Sequence, residues 1–322
     1  MPADELYKEP CFFSPYGENL GLDNYLRLFR FASPVQHVIG EASTVYLTDP
    51  VSAKRIFEFN PDAKIIIVLR NPIERAYSLY NWMVQDGYEY APSFKDALSL
   101  EVCRLTARIP NWFEPQYYWN YLYIRSGLYY EQVKRYVDYF KERVLVLRFE
   151  EMKADPQGIF DTVCTFLGIQ RITKKFRKHN VSKSVRSPKI QFILRHLNTY
   201  IGSMLATDRG ICQIREEDIR QYYRVSLRQL SSVTRITLRD RLIGTIFLRN
   251  ICTLLKKGAL QSHQTLISKK QRDLILQLGL VDKKPAPLAA DLKTRLSRCY
   301  AVDVEKLSKL SGLDFSEWLH DG

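Results

Sequence analysis

The chain has 322 residues, of which 46% are hydrophobic and 26% are charged, as is typical of globular proteins with a packed core. No segment reaches the ~20 uncharged apolar residues that a membrane-spanning helix needs, and the start, MPADELYKEP, lacks the basic and apolar regions of a signal peptide. Six scattered cysteines form no C-x-x-C pair, which argues against a metal site and favours reduced thiols.

The net charge of +13 is concentrated in one part of the chain. Residues 171–284 carry 25 lysines and arginines against 7 acidic residues, whereas residues 1–170 carry 18 against 22. Such a basic block indicates an anionic partner: a phosphate-bearing cofactor, an acidic polysaccharide, nucleic acid or a membrane surface. For residues 187–284 alone, a solvated helical face explains the charge as well.

The first part of the chain alternates predicted strands and helices. QHVIG at residues 36–40 predicts a short strand, and the loop EASTVYL follows it. TDPVSAKRIFEF predicts a helix with Thr48 or Asp49 as its cap and Pro50 in its first turn. The run AKIIIVL then predicts a strand that is apolar on both faces, as at the centre of a parallel sheet.

The stretch after this strand carries helix-start signals. Asn71 predicts an N-cap, Pro72 suits the first helical position, and Glu74 lies where a capping box has its acidic residue. We expect this helix to reach about Gln85 and to end near Gly87. The chain therefore passes directly from a buried strand into a capped helix.

The same alternation continues to about residue 170. SFKDALSLE predicts a capped helix, LYYEQVKRYVDYF an amphipathic helix, and RVLVLRFEEM a second strand buried on both faces. DPQGIFDTVCTFLGI predicts a helix that starts after Asp155 and stops at Gly168. The apolar face of the amphipathic helix comprises Val133, Tyr136, Val137 and Phe140. This order implies an α/β fold, with a parallel sheet covered by helices.

The pattern changes after residue 189, because only helical periods are found up to about residue 284. Residues 237–257 predict a basic amphipathic helix, for which packing in the core and contact with a membrane surface or partner are the two interpretations. We predict a core domain at residues 1–190, a basic helical insertion at 191–284 and a C-terminal helix at 285–322. The last helix should dock on the core through Leu296, Tyr300, Val304, Leu307 and Trp318.

Polar residues follow the predicted strands at the carboxyl end, where open parallel sheets bind ligands. Arg70 leaves the strand there with a guanidinium that suits phosphate oxygens, and Ser78 lies two turns into the next helix. The helix start should add unpaired backbone N–H groups, and Glu41 follows the other strand. Taken alone, Arg70 suits a surface salt bridge, and Glu41 suits a carboxylate that caps the turn at Ser43 or pairs with a lysine.

The pattern IIVLRNPIERAYSLY resembles the 3′-phosphate-binding motif of sulfotransferases that use 3′-phosphoadenosine 5′-phosphosulfate (PAPS). The similarity is closest to the carbohydrate branch, the heparan sulfate N- and 3-O-sulfotransferases and their bacterial relatives. Four more segments resemble that branch: ELYKEPCFFS (K-E-x-x-F-F), IGEASTVYL (G-E-x-S-P-x-Y-L, with threonine in place of proline), IRSGLYY (R-x-G-x-Y) and NVSKSVRSP, the basic cofactor loop. With the C-terminal DVEKLSKLSGLDFSEWL, the resemblance covers about residues 5–190 and 286–320.

The resemblance implies a P-loop-NTPase-like three-layer fold, PAPS as the sulfuryl donor and no metal. Arg70 and Ser78 match the residues that hold the 3′-phosphate of the cofactor, and Lys183 and Arg186 fall in the loop that closes over it. Glu41 matches the carboxylate that serves as general base. Arg75 keeps a structural or secondary role. The implied acceptor is a hydroxyl or amine of a carbohydrate or a similar small molecule.

One part of the family pattern has no counterpart in the printed sequence. The family begins with a strand, a phosphate loop of the K-x-G-T-T type that binds the 5′-phosphosulfate, and a helix. We expect the first strand and this loop to be missing, either because the chain is truncated, which we favour, or because it is a non-catalytic binder of nucleotides or anions. In the second case the basic insertion would contact a membrane or partner.

Partners and location follow from the same features. The basic block permits nucleic acid, but no nucleic-acid-binding motif is found, so we expect none. Peripheral membrane contact through residues 237–257 is possible. The scattered cysteines favour the cytoplasm, with the Golgi lumen or a membrane as the alternative if an N-terminal anchor is missing.

Overall fold

The computed structural model describes residues 9–17, 20–89, 91–107, 117–176, 184–185, 280–281 and 285–319. The chain divides into two compact units. The first comprises residues 1–79, 117–181 and 286–322, and the second comprises residues 80–116 and 182–285. The domain limits predicted from the sequence remain a prediction.

The described part of the chain alternates strands and helices as the sequence predicts. The strands are β1 (Ile65–Leu69), β2 (Val144–Arg148), β3 (Ser184–Val185) and β4 (Leu280–Val281). The described α-helices are α1 (Leu22–Arg27), α2 (Val45–Thr48), α3 (Ser52–Phe59), α4 (Pro72–Gln85), α5 (Phe94–Ala107), α6 (Tyr129–Phe140), α7 (Phe149–Ala154), α8 (Pro156–Leu167) and α9 (Ala290–Ser311).

The sheet of the first unit is parallel, which confirms the predicted α/β class. β1 pairs with β2 in a register that sets Ile65 opposite Val144 and Leu69 opposite Arg148. Parallel strands need a crossover connection, and the chain between β1 and β2 includes α4, α5 and α6. Helix α6 packs on both strands and also contacts α3 and α9. Arg70 and Phe149 therefore follow their strands at the same edge of the sheet.

The prediction that β1 is buried on both faces is wrong. Ile67 and Leu69 are 6% and 1% exposed, but Ile66 and Val68, which point to the other face, are 38% and 45% exposed. Successive side chains of a strand point to opposite faces, so helices cover only one face of β1 among the described residues. β2 shows the same departure, since only Leu147 is fully buried in it.

The strand predicted at residues 36–40 is also absent. These residues are exposed and lie outside any ladder of the described residues. The N–H of Gln36 instead bonds the carbonyl of Ser33 at 2.9 Å, which closes a turn. A strand requires a neighbouring backbone to pair with, and an apolar pair such as Val38-Ile39 cannot form one alone.

Helix starts follow the sequence signals more closely. The carboxylate of Asp49 accepts the N–H of Ser52, the first residue of α3, at 2.9 Å, but the N-cap is Val51, so the helix begins later than predicted and Pro50 precedes it. The side chain of Asp155 accepts the N–H of Gly158 and opens α8, and Gly168 ends that helix with φ 75°. α2 departs from the prediction, because the sequence predicts a loop at residues 41–47 and places Thr48 at the start of the next helix.

Helix α4 begins at Pro72 and ends at Gln85, as predicted. The side-chain oxygen of Asn71 accepts the N–H groups of Ile73 at 3.0 Å and Glu74 at 3.3 Å. The capping box is incomplete, however, because the backbone N–H of Asn71 donates to Glu150 Oε1 at 2.9 Å and not to Glu74. A carboxylate 79 residues away thus completes the cap.

The C-terminal segment, made of α9 and the turn after it, docks on the rest of the first unit through the predicted residues, all of which are buried: Leu296, Tyr300, Val304 and Leu307 in α9, and Trp318 in the turn. The carboxylate of Asp303 accepts the N–H groups of Tyr129 at 2.7 Å and Tyr130 at 3.2 Å, which caps the start of α6. Tyr300 also fits closely against Gly127, where an added Cβ would lie 2.8 Å from the Tyr300 hydroxyl. The R-x-G-x-Y segment therefore anchors the C terminus.

The second unit contains a buried ion pair between Arg104 of α5 and Glu89. Arg104 Nη2 lies 2.9 and 3.1 Å from the two Glu89 oxygens, and both side chains are fully buried. The predicted helical insertion at 191–284 lies outside the described residues except for β4. That strand pairs antiparallel with β3, so the expectation of only helical structure up to residue 284 is wrong there.

Candidate active site

Arg70 leaves β1 at the carboxyl edge of the sheet. Its Nη2 lies 3.0 Å from Glu74 Oε2, and its guanidinium carbon lies 5.3 Å from the centre of the Phe149 ring. The Nε atom is buried without a hydrogen-bond partner among the described residues. Because a guanidinium has five N–H donors and Glu74 engages one nitrogen, donors remain for an anion.

The backbone around Arg70 is held in place by the first unit. The hydroxyl of Tyr129 donates to the Arg70 carbonyl at 3.0 Å, and the Asn71 amide donates to the carbonyl of Trp318 at 3.3 Å. The start of α6 and the C-terminal segment thus both contact the end of β1. This arrangement fixes where the Arg70 side chain begins.

The sequence predicts an anion site with unpaired N–H groups at the start of α4, but the structure pairs these groups within the protein. Asn71 caps the N–H groups of Ile73 and Glu74, and the N–H of Arg75 bonds the Asn71 carbonyl at 2.9 Å. These donors are already satisfied inside the protein, so side chains, and Arg70 first among them, must supply the contacts to an anion.

Arg70, Glu74 and Ser78 form a row of residues spaced four apart, of which Glu74 and Ser78 lie in α4. Residues four apart in a helix lie on the same face, so Glu74 and Ser78 are neighbours on α4. Ser78 is half-buried, and its hydroxyl makes no hydrogen bond to a described residue. Arg75 lies elsewhere: its Nη2 donates to the Tyr123 carbonyl at 2.5 Å, which is the structural role expected for it.

Glu41 lies in a cluster of hydroxyl groups. Its Oε1 accepts a hydrogen bond from the Tyr46 hydroxyl at 2.6 Å, and its Oε2 accepts one from the Ser43 hydroxyl at 3.0 Å. Burial raises the pKa of the Glu41 carboxyl above its usual value, the hydrogen bonds from Tyr46 and Ser43 oppose that rise, and the nearby charge of Glu9 adds to it. The contact with Ser43 agrees with the turn-capping interpretation of Glu41.

The segment before α1 packs directly on this cluster. The N–H of Cys11 donates to Ser43 Oγ at 3.0 Å, and the N–H of Phe13 donates to Tyr46 Oη at 3.3 Å. The buried Cys11 thiol lies 3.2 Å from the hydroxyl of Tyr117, and burial raises the pKa of this thiol. Residues 9–14 (EPCFFS) and 40–47 (GEASTVYL), which belong to two of the family-like segments, therefore form one local structure.

The structure describes three of the five residues predicted for the site. Arg70 pairs with Glu74, which lies one turn before Ser78 in α4, and Glu41 accepts hydrogen bonds from two hydroxyl groups. Lys183 and Arg186 lie outside the described residues. The turn-capping interpretation of Glu41 already named Ser43 as its partner, but sequence reasoning missed Tyr46, although its spacing, five residues after the carboxylate, is visible in the sequence.

The described residues offer neither a metal site nor a membrane-spanning helix. No group of three or more histidine, cysteine, aspartate or glutamate side chains that could hold a metal ion lies among them. Nor is any helix in this part of the chain both long and apolar enough to cross a membrane. The predicted contact segment 237–257 falls outside the residues that the structure describes.

Comparison with protein families gives a match to the sulfotransferase domain over residues 42–198. The bifunctional heparan sulfate N-deacetylase/N-sulfotransferase 1 of Mus musculus is 26% identical over 180 residues, which are 52% of this chain and 19% of the relative. Human bifunctional heparan sulfate N-deacetylase/N-sulfotransferase 3 is 28% identical over 170 residues, with the same coverage. The chain thus spans about a fifth of the length of these relatives.

Two further proteins are similar to this chain. Membrane-associated sulfotransferase kil1 of Dictyostelium discoideum is 36% identical over 80 residues, which are 24% of this chain and 17% of the relative. The crystal structure of a sulfotransferase from Alicyclobacillus acidocaldarius superimposes with a TM-score of 0.57 at 24% identity, covering 99% of this chain and 87% of that one. This likeness supports the fold and agrees with the predicted P-loop-like α/β class.

Proposed function

We propose that this chain, whose residues 42–198 match the sulfotransferase domain, transfers a sulfuryl group from PAPS to a hydroxyl or amine of a carbohydrate acceptor. The observation that carries the proposal is the row formed by Arg70, Glu74 and Ser78 at the carboxyl end of β1. Arg70 retains donors there, and the Ser78 hydroxyl has no described partner. Both features suit a phosphate group.

In this proposal Arg70 and Ser78 hold the 3′-phosphate of the donor. A phosphate group carries up to about two negative charges and accepts charge-assisted hydrogen bonds from a guanidinium. The Glu74 carboxylate, which is exposed and carries one charge, is the weaker partner for Arg70 and yields to the phosphate. Lys183 and Arg186 are proposed to add cationic contacts to the bound nucleotide.

Glu41 acts as the general base. It takes the proton of the acceptor O–H or N–H while that oxygen or nitrogen attacks the sulfur of PAPS in line with the bond that breaks. The new bond joins the acceptor atom to sulfur, the sulfur–oxygen bond to the 5′-phosphate breaks, and 3′-phosphoadenosine 5′-phosphate (PAP) leaves with the bonding electrons. The raised pKa of Glu41 supports this role, because a base is more effective when its pKa is closer to the working pH.

The acceptor class rests on two supports. Relatives from mouse and human are named as heparan sulfate N-sulfotransferases, and the basic residues 171–284 suit an acidic polysaccharide. The proposal places the protein in the cytoplasm, because its scattered cysteines suit a compartment that keeps thiols reduced. No contact with nucleic acid is part of it.

One feature of the printed sequence favours a second candidate. Residues 1–322 contain no K-x-G-T-T phosphate loop for the 5′-phosphosulfate. The alternative is therefore a chain that binds the adenosine 3′-phosphate end of the nucleotide at Arg70 and transfers nothing. Binding of PAP without transfer from PAPS to any acceptor would favour this candidate.

The proposed activity is tested with radiolabelled PAPS and two polysaccharides, one with free amines and one with hydroxyl groups only. We expect label in at least one of them, and the choice separates N- from O-sulfation. Glu41→Gln should lower kcat by about 100-fold or more and leave the affinity for PAP unchanged. Glu58→Gln, an exposed glutamate of α3, is the matched control. No transfer by the wild type, or full activity of Glu41→Gln, would contradict the proposal.

A further inference from the structure

Two hydroxyl groups connect the Glu41 carboxylate to the backbone of the segment Cys11–Phe13. The N–H of Cys11 donates to Ser43 Oγ, which donates to Glu41 Oε2; these distances are both 3.0 Å. The N–H of Phe13 donates to Tyr46 Oη at 3.3 Å, and Tyr46 Oη donates to Glu41 Oε1 at 2.6 Å. Each carboxylate oxygen is therefore held through one hydroxyl to one backbone N–H group.

The direction of both hydroxyl protons follows from this arrangement. A hydroxyl has one hydrogen and accepts through its oxygen, whereas a backbone N–H is only a donor. Since Cys11 and Phe13 donate to the two hydroxyl oxygens, the hydroxyl protons are free to point at Glu41. The ionised carboxylate receives two donors and cannot rotate without losing both.

Neighbouring contacts hold the two hydroxyls themselves. The hydroxyl of Tyr136 donates to the Tyr46 carbonyl at 2.7 Å, which ties Tyr46 to α6. The Ser14 hydroxyl donates to the Cys11 carbonyl at 2.8 Å, which closes the turn that presents the Cys11 N–H. The support for Glu41 thus comes from the N-terminal segment and from α6, which are separate parts of the first unit.

We propose that Ser43 and Tyr46 are positioning residues, which hold the Glu41 carboxylate in one orientation for proton transfer, and that the N-terminal segment Cys11–Phe13 is part of the catalytic site. This inference rests on the proposed function, because it assigns the two hydroxyls a role in the action of Glu41 as a base. Neither hydroxyl needs to touch the substrate.

The inference predicts that loss of either hydroxyl group changes the pKa of Glu41. The titratable groups that face Glu41 are Tyr46, the Glu9 carboxylate, the Cys11 thiol and Tyr25. Burial raises the pKa values of Tyr46, Cys11 and Tyr25, and the charge of Glu41 raises them further. Of these, Tyr46 donates directly to the ionised form of Glu41 and lowers the pKa of that carboxyl. Removal of this hydroxyl leaves only the Ser43 hydrogen bond to oppose burial and Glu9, so the Glu41 pKa should rise.

The first measurement follows the protonation of the Glu41 carboxylate itself and does not depend on catalytic activity. Carbon-13 NMR of the full chain with labelled glutamate follows the titration of Glu41, whose signal is identified by its loss in Glu41→Gln. We expect Tyr46→Phe to raise the Glu41 pKa by about one unit, a tenfold change in its protonation equilibrium. Ser43→Ala should raise it in the same direction, and Ser43→Thr, which keeps the hydroxyl, should restore it.

Tyr139→Phe is the matched control, since the Tyr139 hydroxyl makes no hydrogen bond to a described residue and its ring packs on Phe57. It should leave the Glu41 titration unchanged. An unchanged Glu41 pKa in both Tyr46→Phe and Ser43→Ala would overturn the inference. The two variants remove different hydroxyls, so a failure of Tyr46→Phe to fold leaves Ser43→Ala to decide.

The second measurement separates positioning from a purely structural role. In transfer assays we expect Tyr46→Phe to lower kcat about tenfold at low pH, with the acid limb of the pH profile moved upward and KM for PAPS unchanged. Loss of active protein alone would lower kcat at every pH and leave the limb in place, which would overturn the inference. Absence of transfer by the wild type would instead overturn the proposed function and the catalytic role with it, whatever the titration shows.

Discussion

The guanidinium of Arg70 lies 3.0 Å from the carboxylate of Glu74, one turn further along α4. This pair joins the last residue before the cap of α4 to its first turn, and both side chains are partly open to solvent. Surface pairs of this spacing contribute only about 0.3–0.5 kcal/mol. Glu74 is therefore a replaceable partner, and we interpret it as the group that a phosphate displaces from Arg70.

Glu74→Gln should strengthen the binding of PAP. Removal of the carboxylate frees Arg70 and removes a negative charge from the neighbourhood of the phosphate, so we expect the Kd to fall about two- to threefold. Calorimetry at low ionic strength measures the change. Glu58→Gln is the control, because Glu58 forms a comparable exposed i,i+4 pair with Lys54 at 3.5 Å in α3. Weaker binding in Glu74→Gln would show that Glu74 helps to hold the ligand.

The raised pKa of Glu41 predicts a pH-dependent cost in stability. A carboxyl whose pKa is higher in the folded chain than in the unfolded chain contributes stability below the unfolded pKa and loses that contribution as pH rises through the folded pKa. The Glu41 pKa lies above 4.5 for the reasons given, with burial the largest. As pH rises from about 4, wild type should therefore lose unfolding free energy relative to Glu41→Gln.

Urea unfolding at a series of pH values measures that difference. Asp303 also has a pKa raised by burial, but it is present in both proteins and cancels. A difference between wild type and Glu41→Gln that stays constant from about pH 4 to 7 would contradict the pKa direction.

The close approach of Gly127 and Tyr300 predicts a steric effect. A Cβ at residue 127 would lie 2.8 Å from the Tyr300 hydroxyl and 3.0 Å from two ring carbons. Gly127→Ala should therefore destabilise the protein by about 1–3 kcal/mol in urea unfolding. The additional change Tyr300→Leu should make Gly127→Ala less harmful. Gly40→Ala is the control, because nothing lies within 4 Å of the added Cβ there.

The buried pair of Arg104 and Glu89 predicts strong coupling in the second unit. Arg104→Met removes a guanidinium that pairs with the buried Glu89 carboxylate, and removal of one partner of such a pair costs about 3–5 kcal/mol. Arg104→Met combined with Glu89→Gln should cost clearly less than Arg104→Met alone. Additive losses in a double-mutant cycle would show that the two side chains do not interact.

The sequence predicts those features whose cause lies within a few residues. Asn71 and Pro72 mark the start of α4, Asp155 and Gly168 mark the ends of α8, and the helical spacing of α9 identifies its buried face. Each signal acts between neighbours in the chain. Local chemistry therefore suffices to predict these elements.

Features that depend on distant partners could not be predicted in the same way. The cover of β1 depends on which helices reach each face, and the alternating exposure of Ile66 and Ile67 leaves no trace in a run of uniformly apolar residues. Residues 36–40 have strand-like composition but lack a described strand to pair with. Ser43 meets the Cys11 N–H across 32 residues, so only tertiary structure brings them together.

Arg70 and the 3′-phosphate carry the central claim, and one measurement tests their contact directly. Calorimetry compares PAP with adenosine 5′-phosphate, which lacks the 3′-phosphate, on wild type, on Arg70→Ala and on the control Arg30→Ala. We expect wild type and Arg30→Ala to bind PAP at least about tenfold more tightly than adenosine 5′-phosphate, since hydrogen bonds to charged groups contribute about 1.5–3 kcal/mol. Arg70→Ala should lose most of this preference. The same preference for PAP in Arg70→Ala, or none in wild type, would contradict the account.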